Sequence, residues 1–148
     1  MKKFIKLLVI LPVIFILTGC GKDKTIIKSN DMSKKMGELG FLVSDGTEMF
    51  EDEEILKVLS FNNGKYQMEY HEYKTEEKAK ESYNGNKNYF DLENKKGKET
   101  KKDNYDKYVQ ETKEEYHSLT RVGNTFLYVS ASIEYKDEIE KVLKELNY

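Results

Sequence analysis

The chain is poor in the residues that most often advertise chemistry: 148 residues contain one cysteine, one proline, one arginine and no tryptophan. A single cysteine excludes an intramolecular disulfide. Arg121 is the only arginine among 25 basic residues. Phosphate or carboxylate capture by an arginine cluster is therefore excluded, because lysine offers a point charge and not a planar fork. Without tryptophan the usual anchor of a carbohydrate-binding face is missing. No G-x-x-x-x-G-K-[ST], G-x-G-x-x-G, C-x-x-C or H-E-x-x-H spacing occurs. That removes the common routes to nucleotide hydrolysis, dinucleotide redox chemistry and zinc proteolysis. Serines are present, but none sits in a G-x-S-x-G setting, so a nucleophile elbow is excluded too.

What is present is a polar chain with enough apolar residues to fold. Charged residues make up 35% and hydrophobic ones 38%, with 12% aromatic. This composition argues for one packed domain and against disorder. The net charge of −2 is uneven: Lys2, Lys3 and Lys6 stand in the first 19 residues without an acid. The remainder carries 22 basic against 27 acidic side chains, or −5, which gives it no electrostatic reason to bind nucleic acid or an anionic bilayer.

The one long apolar run is Leu7–Leu17, 11 residues behind the basic Met1–Lys6. It is too short for a spanning helix, and Pro12 would break or kink one. Basic start, short apolar core and small residues match an export signal. Directly after it stands Leu17-Thr18-Gly19-Cys20, an aliphatic residue, two small ones and the cysteine. This segment resembles the lipobox of bacterial lipoproteins. The resemblance implies a diacylglyceryl group on the Cys20 thiol, cleavage between Gly19 and Cys20, and acylation of the new α-amine. It implies attachment to the outer face of the cell membrane, with the thiol consumed as a thioether. One acyl chain holds only marginally and two or more hold stably. The expected organisation is a signal peptide at 1–19, a lipidated tether at 20–29 and one domain at 30–148. The sequence leaves open whether Ile26 and Ile27 dock on the domain or dip into the interface.

Within the domain, Met32, Met36 and Leu39 mark a short amphipathic helix closed by Gly40. Phe41–Val43 is a short strand candidate. Ile55–Phe61 and Lys65–Tyr73 flank Asn62-Asn63-Gly64, a hairpin signature. Tyr66, Met68 and Tyr70 share its apolar face, while Gln67, Glu69 and His71 share the face expected to be wet. Thr75 with Glu76-Glu77 opens a helix reaching about Leu92, with Ala79, Tyr83, Asn86 and Phe90 on one stripe. Glu93–Asp103 reads as a polar, lysine-rich loop. Tyr105–Thr112, Tyr116–Val122 and Thr125–Ala131 are further strands, the last two meeting at Gly123-Asn124. Tyr135, Ile139, Val142, Leu143 and Leu146 form the cleanest helical pattern. The ending Glu38-Leu39-Gly40-Phe41 echoes Glu145-Leu146-Asn147-Tyr148, which we read as a shared way of ending a helix. The expected class is α+β: an antiparallel sheet of five to six strands backed by two to three helices in two layers.

Candidate chemistry is sparse. His71 and His117, the only histidines, could share a metal with Glu69 or Glu115, but a tetrahedral site needs three or four ligands, and solvent-facing histidines are preferred. Glu51-Asp52-Glu53-Glu54 lacks the ligand spacing and turn glycine of a calcium loop. With 27 acids, a carboxylate pair at glycosidase spacing carries no weight. All 11 tyrosines lie at or after Tyr66. Tyr73, Tyr105, Tyr108 and Tyr116 could stack on sugars or a partner, although half-buried strand positions account for them as well. Beyond the lipobox, the mature region is similar in style to small lysine- and tyrosine-rich lipoprotein domains of low-GC Gram-positive bacteria, which implies no activity. The expectation is a lipid-anchored, extracytoplasmic, non-catalytic domain that binds a protein or cell-envelope component, with no cofactor and no nucleic acid. A cell-envelope hydrolase and a metal or small-ligand sensor using His71 and His117 are the alternatives.

Overall fold

Asn63 and Gly64 close the hairpin that the sequence announces. The Asn62 Oδ1 accepts from the Gly64 N–H at 2.7 Å, the Asn63 Oδ1 accepts from the Lys65 N–H at 3.0 Å, and Gly64 has φ +82°. The strands on either side, β2 (Ile55–Asn62) and β3 (Gln67–Tyr73), pair antiparallel. This is seen in a computed structural model that describes residues 23–91 and 97–148. Cys20, Gly19 and the rest of the expected signal segment lie outside the described residues.

The sheet continues on both sides of that hairpin. It comprises β1 (Leu42–Asp45), β4 (Lys98–Lys102), β5 (Tyr105–Glu111), β6 (Glu115–Val122) and β7 (Thr125–Ser132), in the order β1-β2-β3-β7-β6-β5-β4, and every pairing is antiparallel. The α+β class is as expected, with seven strands where five or six were foreseen. The additional strand, β4, falls in the stretch expected to be a loop. Its sequence KETKK has no apolar alternation and all five residues are exposed, so nothing in its side chains marks it. It forms through backbone pairing with β5, and its lysines suit a sheet edge that must not recruit another chain.

The three helices are α1 (Ser29–Glu38), α2 (Glu76–Asp91) and α3 (Lys136–Glu145). Helices α1 and α3 share one apolar cluster with Phe61, Met68, Tyr70 and Leu127 of the sheet. Helix α2 packs on the opposite face, where Ala79, Tyr83 and Phe90 meet Tyr73, Tyr108, Leu119 and Phe126, so the sheet lies between helices and the two layers expected become three. Each aliphatic side chain buried by α3 (Ile139, Val142, Leu143 and Leu146) contributes roughly 1.5–3 kcal/mol.

The echo between the ends of α1 and α3 has a structural counterpart. Phe41 N–H donates to Met36 O at 3.0 Å, and Tyr148 N–H donates to Leu143 O at 2.8 Å. Gly40 and Asn147 both have positive φ, +86° and +61°. These are two copies of one helix-ending motif, in which a left-handed residue returns the next aromatic residue to the core. Phe41 and Tyr148 are both buried.

The segment before α1 is not free. Ile27 is buried and belongs to the α1–α3 cluster, and its carbonyl accepts from the Tyr70 hydroxyl at 2.8 Å. Lys24 exchanges hydrogen bonds with the Asn104 side chain at 3.0 and 2.7 Å. Ile26 lies over Gly123. The question left open for Ile26 and Ile27 is thus decided in favour of the domain for Ile27, while Ile26 touches the Gly123 turn and stays 37% exposed.

Candidate functional site

Alternation along β3 sends Met68 and Tyr70 toward α1 and α3, and Glu69, His71 and Tyr73 toward α2. On β7, Tyr128 stands opposite Glu69 and Phe126 opposite His71. These five side chains form a floor. Helix α2 supplies one wall with Ser82, Asn86, Tyr89 and Phe90, spaced i, i+4, i+7 and i+8 on one stripe. The segment between β1 and β2 supplies the other wall with Phe50 and Asp52, continued by Ile55 at the start of β2. The result is an open groove of about 450 Å³.

His71 is the centre of that floor. Its Nε2 is 2.6 Å from Glu69 Oε1, and its Nδ1 is 3.3 Å from the Tyr73 hydroxyl. In the neutral tautomer the Nε2–H donates to Glu69 and Nδ1 accepts the Tyr73 O–H. Rings surround the imidazole: Phe50 meets it edge-on at 5.2 Å, Tyr73 stacks at 5.8 Å, and Phe126 is edge-on at 6.1 Å. Burial raises the pKa of the Tyr73 phenol, with Asp52 and Glu69 adding to the effect, and this keeps its proton in place. Burial likewise raises that of Tyr128. Both ring nitrogens of His71 are therefore engaged with protein groups, and the hydroxyl paired with it is the Tyr73 phenol, which is buried.

The expected wet face of β3 is exposed at Gln67 and half-buried at Glu69, but His71 is only 7% exposed, because α2 crosses that side of the sheet. His117 is also corrected from solvent-facing to buried, at 5%. The Phe90 ring lies 4.5 Å from it, and Glu115 is 3.4 Å from its Nε2. The two histidines face the same side but do not meet. Strand β7 separates their strands, and His71 is paired with Phe126 while His117 is paired with Ser130. That is two strand spacings across and four residues along, roughly 10 Å by 13 Å. Among the described residues no three His, Cys, Asp or Glu side chains are grouped to hold a metal.

Tyr73, Tyr105, Tyr108 and Tyr116 are all buried, so they offer no stacking surface. Among the described residues the exposed aromatic side chains are Phe50, 40% exposed, and Tyr89, 65% exposed, on opposite walls of the groove. Sequence reasoning missed both. Phe50 lies in no periodic segment, and Tyr89 sits one residue off the apolar stripe of α2. The acidic run is also partly committed: Asp52 accepts from the Glu54 N–H at 2.9 Å and pairs with Lys78 at 3.4 Å. No protein-family model, no curated protein and no solved structure matches the chain.

Proposed function

We propose that the chain is a lipoprotein, cut before Cys20, lipidated there and held on the extracytoplasmic face of the cell membrane, whose domain binds a ligand or envelope component without turning it over. Leu17-Thr18-Gly19-Cys20 behind an 11-residue apolar run supports the anchoring. No helix among the described residues is long and apolar enough to cross a membrane. The binding reading is carried by one observation: the groove over β3 and β7 presents exposed rings while its only histidine has both nitrogens engaged. Such a site offers a surface for contact, with its histidine held between Glu69 and Tyr73.

Because the chain is bonded to the domain from Lys24 onward, only Gly21 to Asp23 would intervene between the lipid and the fold. That is roughly 14 Å of extended chain, so the anchored domain would ride close to the headgroups.

Metabolic labelling with palmitate tests the anchor. Wild-type protein should take up label and shift to the mature size, and Cys20→Ala should do neither. Normal cleavage with membrane retention in Cys20→Ala would contradict the reading. The hydrolase alternative is tested by offering ester, glycoside and phosphoester substrates to the full chain. Turnover that disappears in His71→Gln would replace the binding reading with a catalytic one.

A further inference from the structure

We propose that the groove between α2 and the β1–β2 connection binds a small quaternary ammonium ion, an inference that rests on the binding reading above and names its ligand class. The first support is charge. Although 25 of the 148 residues are basic, none of the residues lining the groove is lysine or arginine, and its two ionic side chains besides His71 are Asp52 and Glu69. Lys78 approaches from outside but is shared by Asp52 at 3.4 Å and Glu81 at 3.5 Å. Asp52 is thereby balanced, and Glu69 is the carboxylate that leaves the floor negative. One of its oxygens accepts from the His71 Nε2–H at 2.6 Å.

The second support is the arrangement of rings. Tyr89 and Phe90 meet edge-to-face at 5.6 Å, and Phe90 stacks with Tyr128 at 6.2 Å, which makes a continuous aromatic wall. Phe50 faces this wall from the other side. A cation between them lies among aromatic rings, the setting that recognises methylated ammonium groups. Tyr128 stands directly across the strand pair from Glu69, so ring and carboxylate act at one place.

The chemistry discriminates among cations. A metal ion needs several oxygen or nitrogen ligands, and no such group exists among the described residues. A primary ammonium is strongly hydrated and needs up to three acceptors to replace its water. The groove offers many carbon faces and one carboxylate, which suits a weakly hydrated, bulky cation. Its volume of about 450 Å³ lies within the range of small-molecule sites.

The test uses the full chain in a non-ionic maltoside detergent, titrated calorimetrically with choline and with 3,3-dimethylbutan-1-ol, its uncharged isostere. Choline should bind saturably and at least about tenfold tighter than the isostere. Glu69→Gln keeps an acceptor for His71 and removes the charge; Tyr89→Ala removes an exposed ring. Each should weaken choline binding at least about fivefold with thermal stability unchanged. Equal affinity for both compounds, no binding of choline, or indifference to both substitutions would overturn the proposal. None of these results bears on lipidation or turnover, which are read by the palmitate and substrate experiments.

Discussion

Asp106 and Arg121 stand directly opposite each other on β5 and β6, joined by a hydrogen bond from Arg121 Nε to Asp106 Oδ2 at 2.6 Å. The arginine is wholly buried. Its Nη1 donates to Glu76 at 2.7 Å and to the Gly123 carbonyl at 3.1 Å. One guanidinium therefore ties the first turn of α2 to the hairpin of β6 and β7. Lysine could not make these contacts at once, which gives a structural reason for the chain's single arginine.

Removing one member of this group should be far worse than removing both. Arg121→Ala leaves Asp106 buried without its partner and should cost about 3–5 kcal/mol. Arg121→Met with Asp106→Leu should recover most of that loss. Urea denaturation of the three proteins measures the difference, and equal losses for the single and double variants would contradict this account.

Glu72 fastens the start of α1. Helix α1 has no side-chain cap of its own, and the Ser29 N–H donates instead to Glu72 Oε2 at 2.9 Å. Burial raises the carboxyl pKa of Glu72, but the Ser29 and Lys28 contacts outweigh it and leave the pKa below its ordinary value. A lowered acid stabilises the fold above the unfolded pKa, and that contribution disappears as pH falls through the folded one. Glu72→Gln should therefore cost about 1 kcal/mol at neutral pH, and the gap from wild type should close below about pH 4. Denaturation at the two pH values provides the comparison.

Gly123 has φ +56°, and a Cβ there would collide with Ile26 Cδ1 and Cγ1. Gly64 also has positive φ, +82°, but has open space around it. Gly64→Ala should thus report backbone strain alone, about 1 kcal/mol. Gly123→Ala should cost more, and Ile26→Ala in the same chain should return part of the excess. Additive effects of the Gly123 and Ile26 changes would show that the segment before α1 is not packed on the turn.

Buried phenols set the alkaline limit. Burial raises Tyr66 and Tyr116 to about 12, and raises Tyr70, Tyr83 and Tyr148 beyond the usual range. A raised acid stays protonated in the fold while the unfolded chain loses its proton from about pH 10. Stability should be intact below pH 10 and fall between about 10 and 12. Tyrosinate absorbance should then rise together with the loss of far-ultraviolet circular dichroism, and Tyr116→Phe should move that transition to higher pH. Ionisation of these phenols with the circular dichroism unchanged would show that they are not held in the core.

The sequence by itself determined the elements whose signals are local. Asn63-Gly64 and the alternation around it marked a hairpin, whose register the structure sets with Asn62 opposite Gln67, and Ile139, Val142, Leu143 and Leu146 specified one buried helix face. The resemblance of Leu17-Thr18-Gly19-Cys20 to a lipobox, on which the proposed anchoring rests, is likewise a local pattern. Where a signal depends on another part of the chain, it failed. Lys98–Lys102 is a strand only because β5 provides a ladder for its backbone. His71 and His117 are buried only because α2 crosses their side of the sheet, and the connection from β3 to β4 could have run over either face. The groove is the extreme case. Phe50, Glu69, Tyr89 and Tyr128 come from four separated segments, each unremarkable alone, and only tertiary packing brings ring faces and a carboxylate to one place.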